Sequence, residues 1–351
     1  MPTLRSLFAL ILLSCQATLS FAQEKPAPDK PQTLRIGIIG LDTSHCPAFT
    51  KLINAEDATG PLANMRVTAA FPGGSQDIAS SRDRVGKFTE ELRGMGVAIV
   101  DSIDELLEQV DAVLLESVDG RKHLPQVVPV FQAGKPVFID KPLAADLTDA
   151  IAIDLLAKKY KARWFSSSSL RFSPSILKFR QGVPSVGKVL GASAWSPCAL
   201  EKTHTDLNWY GVHGVETLYT AMGTGCKSVS RSHKADFELV VGTWEDGRIG
   251  TFRGIRSGKS GYGMQVFGTK GMDGSAKYEG YAPLVVEIGK FFAGGEAPVS
   301  PEETLEIFAF MQAADVSKQR DGAAVSLQEV WQAAKSQAEK KMQQLDPEAS
   351  L

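Results

Sequence analysis

The chain has 351 residues, 43% of them hydrophobic and 22% charged, with a formal net charge of -2. That length is enough for two domains, each with its own core. The balanced charge leaves no basic surplus of the kind that nucleic acid or an anionic membrane surface attracts, so no nucleic-acid partner is expected.

The first 22 residues read as a leader. Arg5 supplies a positive charge and Ser6 to Ser14 is an apolar run too short to span a bilayer. Ser20-Phe21-Ala22 places small residues at the -3 and -1 positions of a cleavage site before Gln23. A Sec-type signal peptide over 1–22 is therefore expected, with a periplasmic or extracellular mature protein that acquires any cofactor outside the cytoplasm. Leu12-Leu13-Ser14-Cys15 is an alternative lipid-anchor site through Cys15, although Leu13 suits it poorly. Residues 23–33, rich in Pro, Lys and Asp, read as a linker.

From Leu34 onward apolar runs alternate with helical patterns. Strands are predicted over Leu34–Ile39, Arg66–Phe71, Val97–Val100, Ala112–Leu115, Pro136–Ile139 and Arg163–Phe165. Helices are predicted over Ser81–Arg93, Ile103–Gln109, His123–Ala133 and Leu147–Tyr160. Alternation of this kind gives a parallel sheet covered on both faces, an α/β Rossmann-type doubly wound domain over residues 34–165. After Phe172 the strands lengthen: Gly187–Trp195, Phe237–Trp244, Ile249–Arg256 and Tyr262–Phe267, with Asp246-Gly247 as a hairpin turn. Helices follow at Gly211–Met222, Pro283–Phe292, Glu302–Ser317 and Ser326–Lys341. Residues 166–345 thus read as an α+β domain with a mostly antiparallel open sheet, for substrate binding and oligomerisation, and the tail after Gln344 as disordered. The three cysteines beyond the leader, Cys46, Cys198 and Cys226, are an odd number, so at least one stays free or pairs with another chain.

The first strand ends in Gly37-Ile38-Ile39-Gly40, then Leu41-Asp42-Thr43-Ser44-His45. A dinucleotide fold uses three glycines here, for the turn, for approach to the pyrophosphate and for helix packing. Gly40 fits the first, while Asp42 and His45 hold the other two positions. A carboxylate ~4 Å from a phosphate charge costs about 4 kcal/mol at an effective dielectric near 20; a protonated His45 would offset it. The second strand lacks the acid that binds a ribose hydroxyl, and Ser75 with Arg82 or Arg84 is a weak substitute suited to a 2′-phosphate. Read by themselves, these loops favour a purely structural role.

The stretch Asp111-Ala112-Val113-Leu114-Leu115, then His123, then Gly134-Lys135-Pro136-Val137-Phe138-Ile139-Asp140-Lys141-Pro142 changes the balance. It resembles the Gfo/Idh/MocA oxidoreductase family, whose sheet strand ends in Glu-Lys-Pro where this chain has Asp140-Lys141-Pro142. The likeness continues through Leu170-Arg171-Phe172 and Gly268-Thr269-Lys270-Gly271. It implies Lys141 beside a nicotinamide and a substrate hydroxyl, with His213 as a second catalytic residue and general base. It implies NAD or NADP held by Gly37, Gly40, Asp42, Thr43, Ser44, His45, Ser75, His123 and Asp140. It also implies a carbohydrate or polyol substrate against Arg171, Trp209, Tyr210 and Glu216, in a homo-oligomer. Trp209 stands where the family has an Asp four residues before its His, which puts the usual proton relay in doubt. A cofactor-free descendant, binding carbohydrate or acting as a lyase or hydrolase through His213, Glu216 and Asp42, is the competing reading. Asp206, His204, His213 and Glu216, like Asp42 with His45, match no trusted metal spacing, and no metal is expected. Cys46, at the start of the first helix, reads as a buried inert thiol rather than an activated one.

Overall fold

A computed structural model describes residues 33–346. The expected signal peptide, the lipid-anchor alternative at Cys15 and nearly all of the linker lie outside the described residues, as does the tail from residue 347. No described helix is long and apolar enough to cross a membrane.

The first sheet is built from β1 (Leu34–Ile39), β2 (Met65–Phe71), β3 (Ala98–Ile99), β4 (Ala112–Leu115), β5 (Val137–Ile139) and β6 (Trp164–Ser166). All its pairs are parallel, in the order β3-β2-β1-β4-β5-β6. That order reverses between β1 and β4, the place where α/β sheets bind ligands beyond their carboxyl ends. The intervening helices are α1 (His45–Ile53), α2 (Ala79–Gly94), α3 (Ile103–Gln109), α4 (Gly120–Gln132) and α5 (Leu147–Tyr160). Three of them begin where a side chain takes an orphan backbone N–H: Ser102 from Glu105, Asp119 from Arg121 and Asp146 from Asp149. Every side chain of β4 is buried, which is why its sequence is continuously apolar.

The chain then adds α6 (Pro174–Gln181), β7 (Val189–Pro197), α7 (Asp206–Trp209), α8 (Val212–Met222), β8 (Cys226–His233), β9 (Phe237–Trp244), β10 (Ile249–Ile255), β11 (Gly263–Gly268) and β12 (Met272–Ser275). It closes with α9 (Ala282–Phe292), α10 (Pro301–Gln319), β13 (Val325–Ser326) and α11 (Leu327–Leu345). The second sheet runs β12-β11-β7-β10-β9-β8-β13. Its pairs are antiparallel except β7 with β10. The expected Asp-Gly hairpin joins β9 to β10, with Gly247 at φ +85°. Helices cover one face of this sheet. The other carries Phe237, Ile249 and Met272, which are 44%, 54% and 70% exposed.

Both faces of the first sheet are finished by late helices. Ile36, Ile38 and Phe138 share a core with Phe49 of α1 and with Leu284, Ile288 and Phe291 of α9. Ile39, Val113 and Ile139 pack in a second core with α4, α5, α10 and α11. Strand β8 was not expected, because its inward Arg231 is held by Asp206, Glu238 and Asp315 and breaks the apolar alternation. Disorder was expected after Gln344, but α11 runs to Leu345 and Asp346 accepts from Lys159 at 2.5 Å and from Tyr160.

Candidate active site

A cavity of about 330 Å³ opens beyond the carboxyl ends of β1, β4 and β5, at the low end of small-ligand pockets. Thr43, Ser44 and His45 enter it from the start of α1, Ser80 and Arg84 from α2, and Lys141 from the loop after β5. The opposite wall is aromatic, with Trp209, Tyr210, Tyr262, Tyr278 and Tyr281, and includes His213 of α8. No lining side chain is a carboxylate.

The turn after β1 is tight. Gly40 has φ +88°, and a Cβ there would lie 2.5 Å from the Ser117 backbone nitrogen, so only glycine fits. Gly37 packs within β1, where a Cβ would meet Leu106 at 3.0 Å; it is a packing glycine and does not line the cavity. Asp42 turns inward and is fully buried. It accepts from Ser81 Oγ at 2.5 Å and from the Val118 N–H at 2.9 Å. Burial raises its pKa against the pull of these bonds. The feared clash of this carboxylate with phosphates is avoided by that rotation.

The expected ribose end is filled by the protein. Ser75 receives no ligand-facing surface: its Oγ donates to Asp119 at 2.6 Å and its N–H donates to Ser81 Oγ at 2.7 Å. Asp119 is tied in turn to Arg121, which reaches Asp77 at 2.9 Å. Arg82 bonds the Gln76 carbonyl and Asp83, leaving Arg84 as the arginine on the cavity.

Ser44 does not cap α1 with its side chain, and the first turn holds no acid. The His45 N–H reaches Thr43 Oγ1 at 3.5 Å and Pro47 has none to give, which leaves the Cys46 N–H and the positive dipole end to suit an anion. His45 there reaches across to β5, with Nδ1 2.7 Å from Asp140 Oδ2. Its ring stacks on Phe49 and meets Tyr281 edge-on. Asp140 is buried, which alone would raise its pKa, but His45 and Lys141 outweigh that and hold it below the usual range. Beneath it lies Glu116, fully buried with both carboxyl oxygens unpartnered. Burial first, and then the Asp140 charge, push its pKa well up. Cys46 donates Sγ–H to the Gly40 carbonyl, and burial, with Glu116 beside it, raises its thiol pKa despite the helix end.

His123 is fully buried, its ring nitrogens facing the carbonyl oxygens of Ser117 at 2.7 Å and Leu143 at 3.1 Å. It pins the loops after β4 and β5 together and does not line the cavity. Arg171 and Glu216 form a buried pair at 2.7 Å behind the wall, continued by Glu303 at 2.8 Å from Arg171. Glu216 also takes the Ser167 hydroxyl and the Ser168 N–H. They support the wall rather than face a substrate. His213 sits in front of them with Nδ1 2.7 Å from Ser168 Oγ. Burial, then Lys141 and His45, depress its pKa strongly. The four residues weighed as a metal set are dispersed: Asp206 pairs with Arg231 and Lys318, and His204 accepts the Gly120 N–H.

The structure thus brings together Thr43, Ser44, His45, Lys141, Trp209, Tyr210 and His213, with Asp140 directly behind. It keeps Gly37, Asp42, Ser75, His123, Arg171 and Glu216 off the cavity surface. Sequence reasoning missed Ser168 and the three tyrosines 262, 278 and 281. The run Ser166-Ser167-Ser168-Ser169 after a strand was the available signal for the first; the tyrosines sit in loops with no periodicity to mark them.

Fold and cleft together define a Rossmann-type domain with an α+β second half. Residues 34–167 match the family model described as "Oxidoreductase family, NAD-binding Rossmann fold", GFO_IDH_MocA. The likeness to the Gfo/Idh/MocA family rests on that domain, which is less than half of the chain. Among curated proteins it is similar to YceM of Salmonella typhimurium, 31% identical over 143 residues, which are 41% of this chain and 41% of that protein. It is also similar to inositol 2-dehydrogenase of Rhodococcus erythropolis, 30% identical over 124 residues, 35% of this chain and 31% of that one. The matches thus span less than half the length of either relative. The fold itself extends further: scyllo-inositol dehydrogenase of Lactobacillus casei, solved with NAD(H) and scyllo-inositol, superposes with TM-score 0.68 over 84% of this chain and 99% of that one, at 16% identity.

The family implies NAD. The residues present fit its pyrophosphate, at the start of α1 with Arg84 near, and its nicotinamide end at Lys141. The expected adenosine ribose end is occupied by the Asp42–Ser81–Ser75–Asp119 bonds.

Proposed function

We propose that this protein is an NAD(P)-dependent oxidoreductase acting on a hydroxyl or carbonyl carbon of a carbohydrate or polyol. The observation that carries this reading is one cavity lined by Lys141, His213 and the start of α1. Bound there, the nicotinamide would supply the hydride acceptor or donor. Lys141 would hold the reacting oxygen by charge, and the aromatic wall would pack the apolar face of a sugar or cyclitol ring. Arg84 and the start of α1 would hold the phosphates. The structurally similar scyllo-inositol dehydrogenase of Lactobacillus casei binds NAD(H) and a cyclic polyol, which supports this substrate class. We further propose an exported protein whose cofactor stays bound and recycles through a second carbonyl substrate. The reading also includes a homo-oligomer joined through the uncovered face of the second sheet, and two domains meeting near residues 165–166.

The test is native mass spectrometry of the mature protein, then titration with NAD, NADH, NADP and NADPH. A dinucleotide mass increment or tight binding is expected, and Lys141→Ala should abolish turnover of inositols. The occupied ribose end favours one alternative, a cofactor-free carbohydrate-binding protein, lyase or hydrolase. A bare chain that binds none of the four nucleotides would establish that alternative over ours.

A further inference from the structure

An alcohol oxidation needs an acceptor for the hydroxyl proton. Histidine serves most often and carboxylates also serve, and no carboxylate lines this cavity. The lining groups able to accept at neutral pH are the imidazoles of His45 and His213. Their second nitrogens are bound in opposite senses, and this decides which one accepts.

His45 Nδ1 meets Asp140 Oδ2 at 2.7 Å. Asp140, with the Lys141 charge beside it, is held below the usual carboxylate range and as a carboxylate can only accept, so the hydrogen of His45 sits on Nδ1. The lone pair of Nε2 is then left for the cavity. His213 Nδ1 meets Ser168 Oγ at 2.7 Å. That hydroxyl already accepts the Leu170 N–H at 3.3 Å, as the cap of the short helical turn Ser169–Phe172. Its own hydrogen has no other partner among the described residues, and Ser168 is 1% exposed. A buried hydroxyl with its donor unused is disfavoured, so Ser168 gives its hydrogen to His213 Nδ1. The hydrogen of His213 is thereby placed on Nε2, toward the cavity.

We propose that His45, oriented by Asp140, is the proton-accepting catalytic residue of this cleft, and that His213, fixed by the positioning residue Ser168, is a hydrogen-bond donor to the same substrate oxygen. This transfers to His45 the base role that the sequence assigned to His213. A substrate hydroxyl has one hydrogen and two lone pairs; His45 takes the hydrogen while Lys141 and His213 donate to the lone pairs. In oxidation the O–H bond breaks and its proton passes to His45 Nε2. The O–H electron pair forms the C=O bond, and the C–H pair leaves as hydride to the oxidised nicotinamide. The catalytic part of this assignment rests on the function proposed above; the tautomers do not.

The experiment is ¹⁵N NMR of the uniformly labelled protein at pH 8, with no cofactor or substrate added. The five histidines are assigned by the loss of signals in His45→Gln and His213→Gln. We expect His45 with a protonated Nδ1 and a bare Nε2, and His213 with the reverse. Ser168→Asp should switch His213 to the opposite tautomer, and Ser168→Ala should remove its preference while leaving His45 unchanged. A bare Nε2 on His213, or a His45 that is doubly protonated or carries its hydrogen on Nε2, would overturn the proposal. Should Ser168→Asp fail to fold, the wild-type tautomers alone still decide. Because no nucleotide is present, a protein that later fails to bind NAD leaves this result standing, and the two failures are told apart.

Discussion

Glu116 shows how much a single buried group can set. It has the same strand-end position as Asp140 but no cation beside it, and only the Cys46 thiol lies near its carboxyl. Its pKa is raised in the folded state, so folding at pH above the ordinary carboxylate range of ~4.3 requires a proton to be taken up or a bare charge to be buried. Stability from this residue is therefore complete below that range and is lost as pH rises toward the folded value. Glu116→Gln keeps the shape and removes the charge. It should stabilise the protein by at least about 1 kcal/mol at pH 8 and by much less at pH 4. Thermal unfolding at both pH values checks this; equal effects would mean that the carboxyl is solvated or paired. Asp140, beside His45 and Lys141 and with its pKa lowered by them, carries the opposite dependence, and Asp140→Asn should lose stability near neutrality.

At the scale of elements, the turn between β1 and α1 is the least tolerant part of the molecule. Gly40→Ala would combine a positive φ with backbone atoms of Ser117 within 2.6 Å. We expect a loss of at least about 3 kcal/mol, read as a lowered denaturation midpoint with the m-value unchanged. Asp42→Gly should act differently, opening the ribose end and raising dinucleotide affinity at some cost in stability. The same turn marks the limit of what a sequence reveals. The strands Leu34–Ile39 and Ala112–Leu115 and helices Ile103–Gln109 and Leu147–Tyr160 were legible to the residue, because apolar runs and capping residues bound them. Lys141 and His213 were found through the motifs around them. Asp42 was misjudged as facing phosphate because its rotation depends on Ser81 and Val118, 39 and 76 residues away. The His45–Asp140 bond spans 95 residues. No local pattern encodes such pairs.

For the molecule as a whole, the uncovered sheet face predicts association. Replacing Ile249 with Glu puts a charge on the row that runs across Gly191 to the exposed Phe267 and Met272. Analytical ultracentrifugation should then show a smaller species than wild type, and an unchanged mass would remove this face as the interface. The helix packing has another consequence. Helix α11 lies on α5 and is tied to it by Lys341 with Asp149 and by Asp346 with Lys159. Helix α9 completes the opposite side of the parallel sheet. A chain ended at residue 326 should therefore lose the protease resistance of its first 165 residues as well as of its last. During synthesis the amino-terminal sheet has its strands and intervening helices early but lacks α9 and α11 until the end of the chain emerges. The two halves must then mature together, and whatever machinery handles the growing chain meets an unfinished nucleotide-type sheet for nearly the whole of translation.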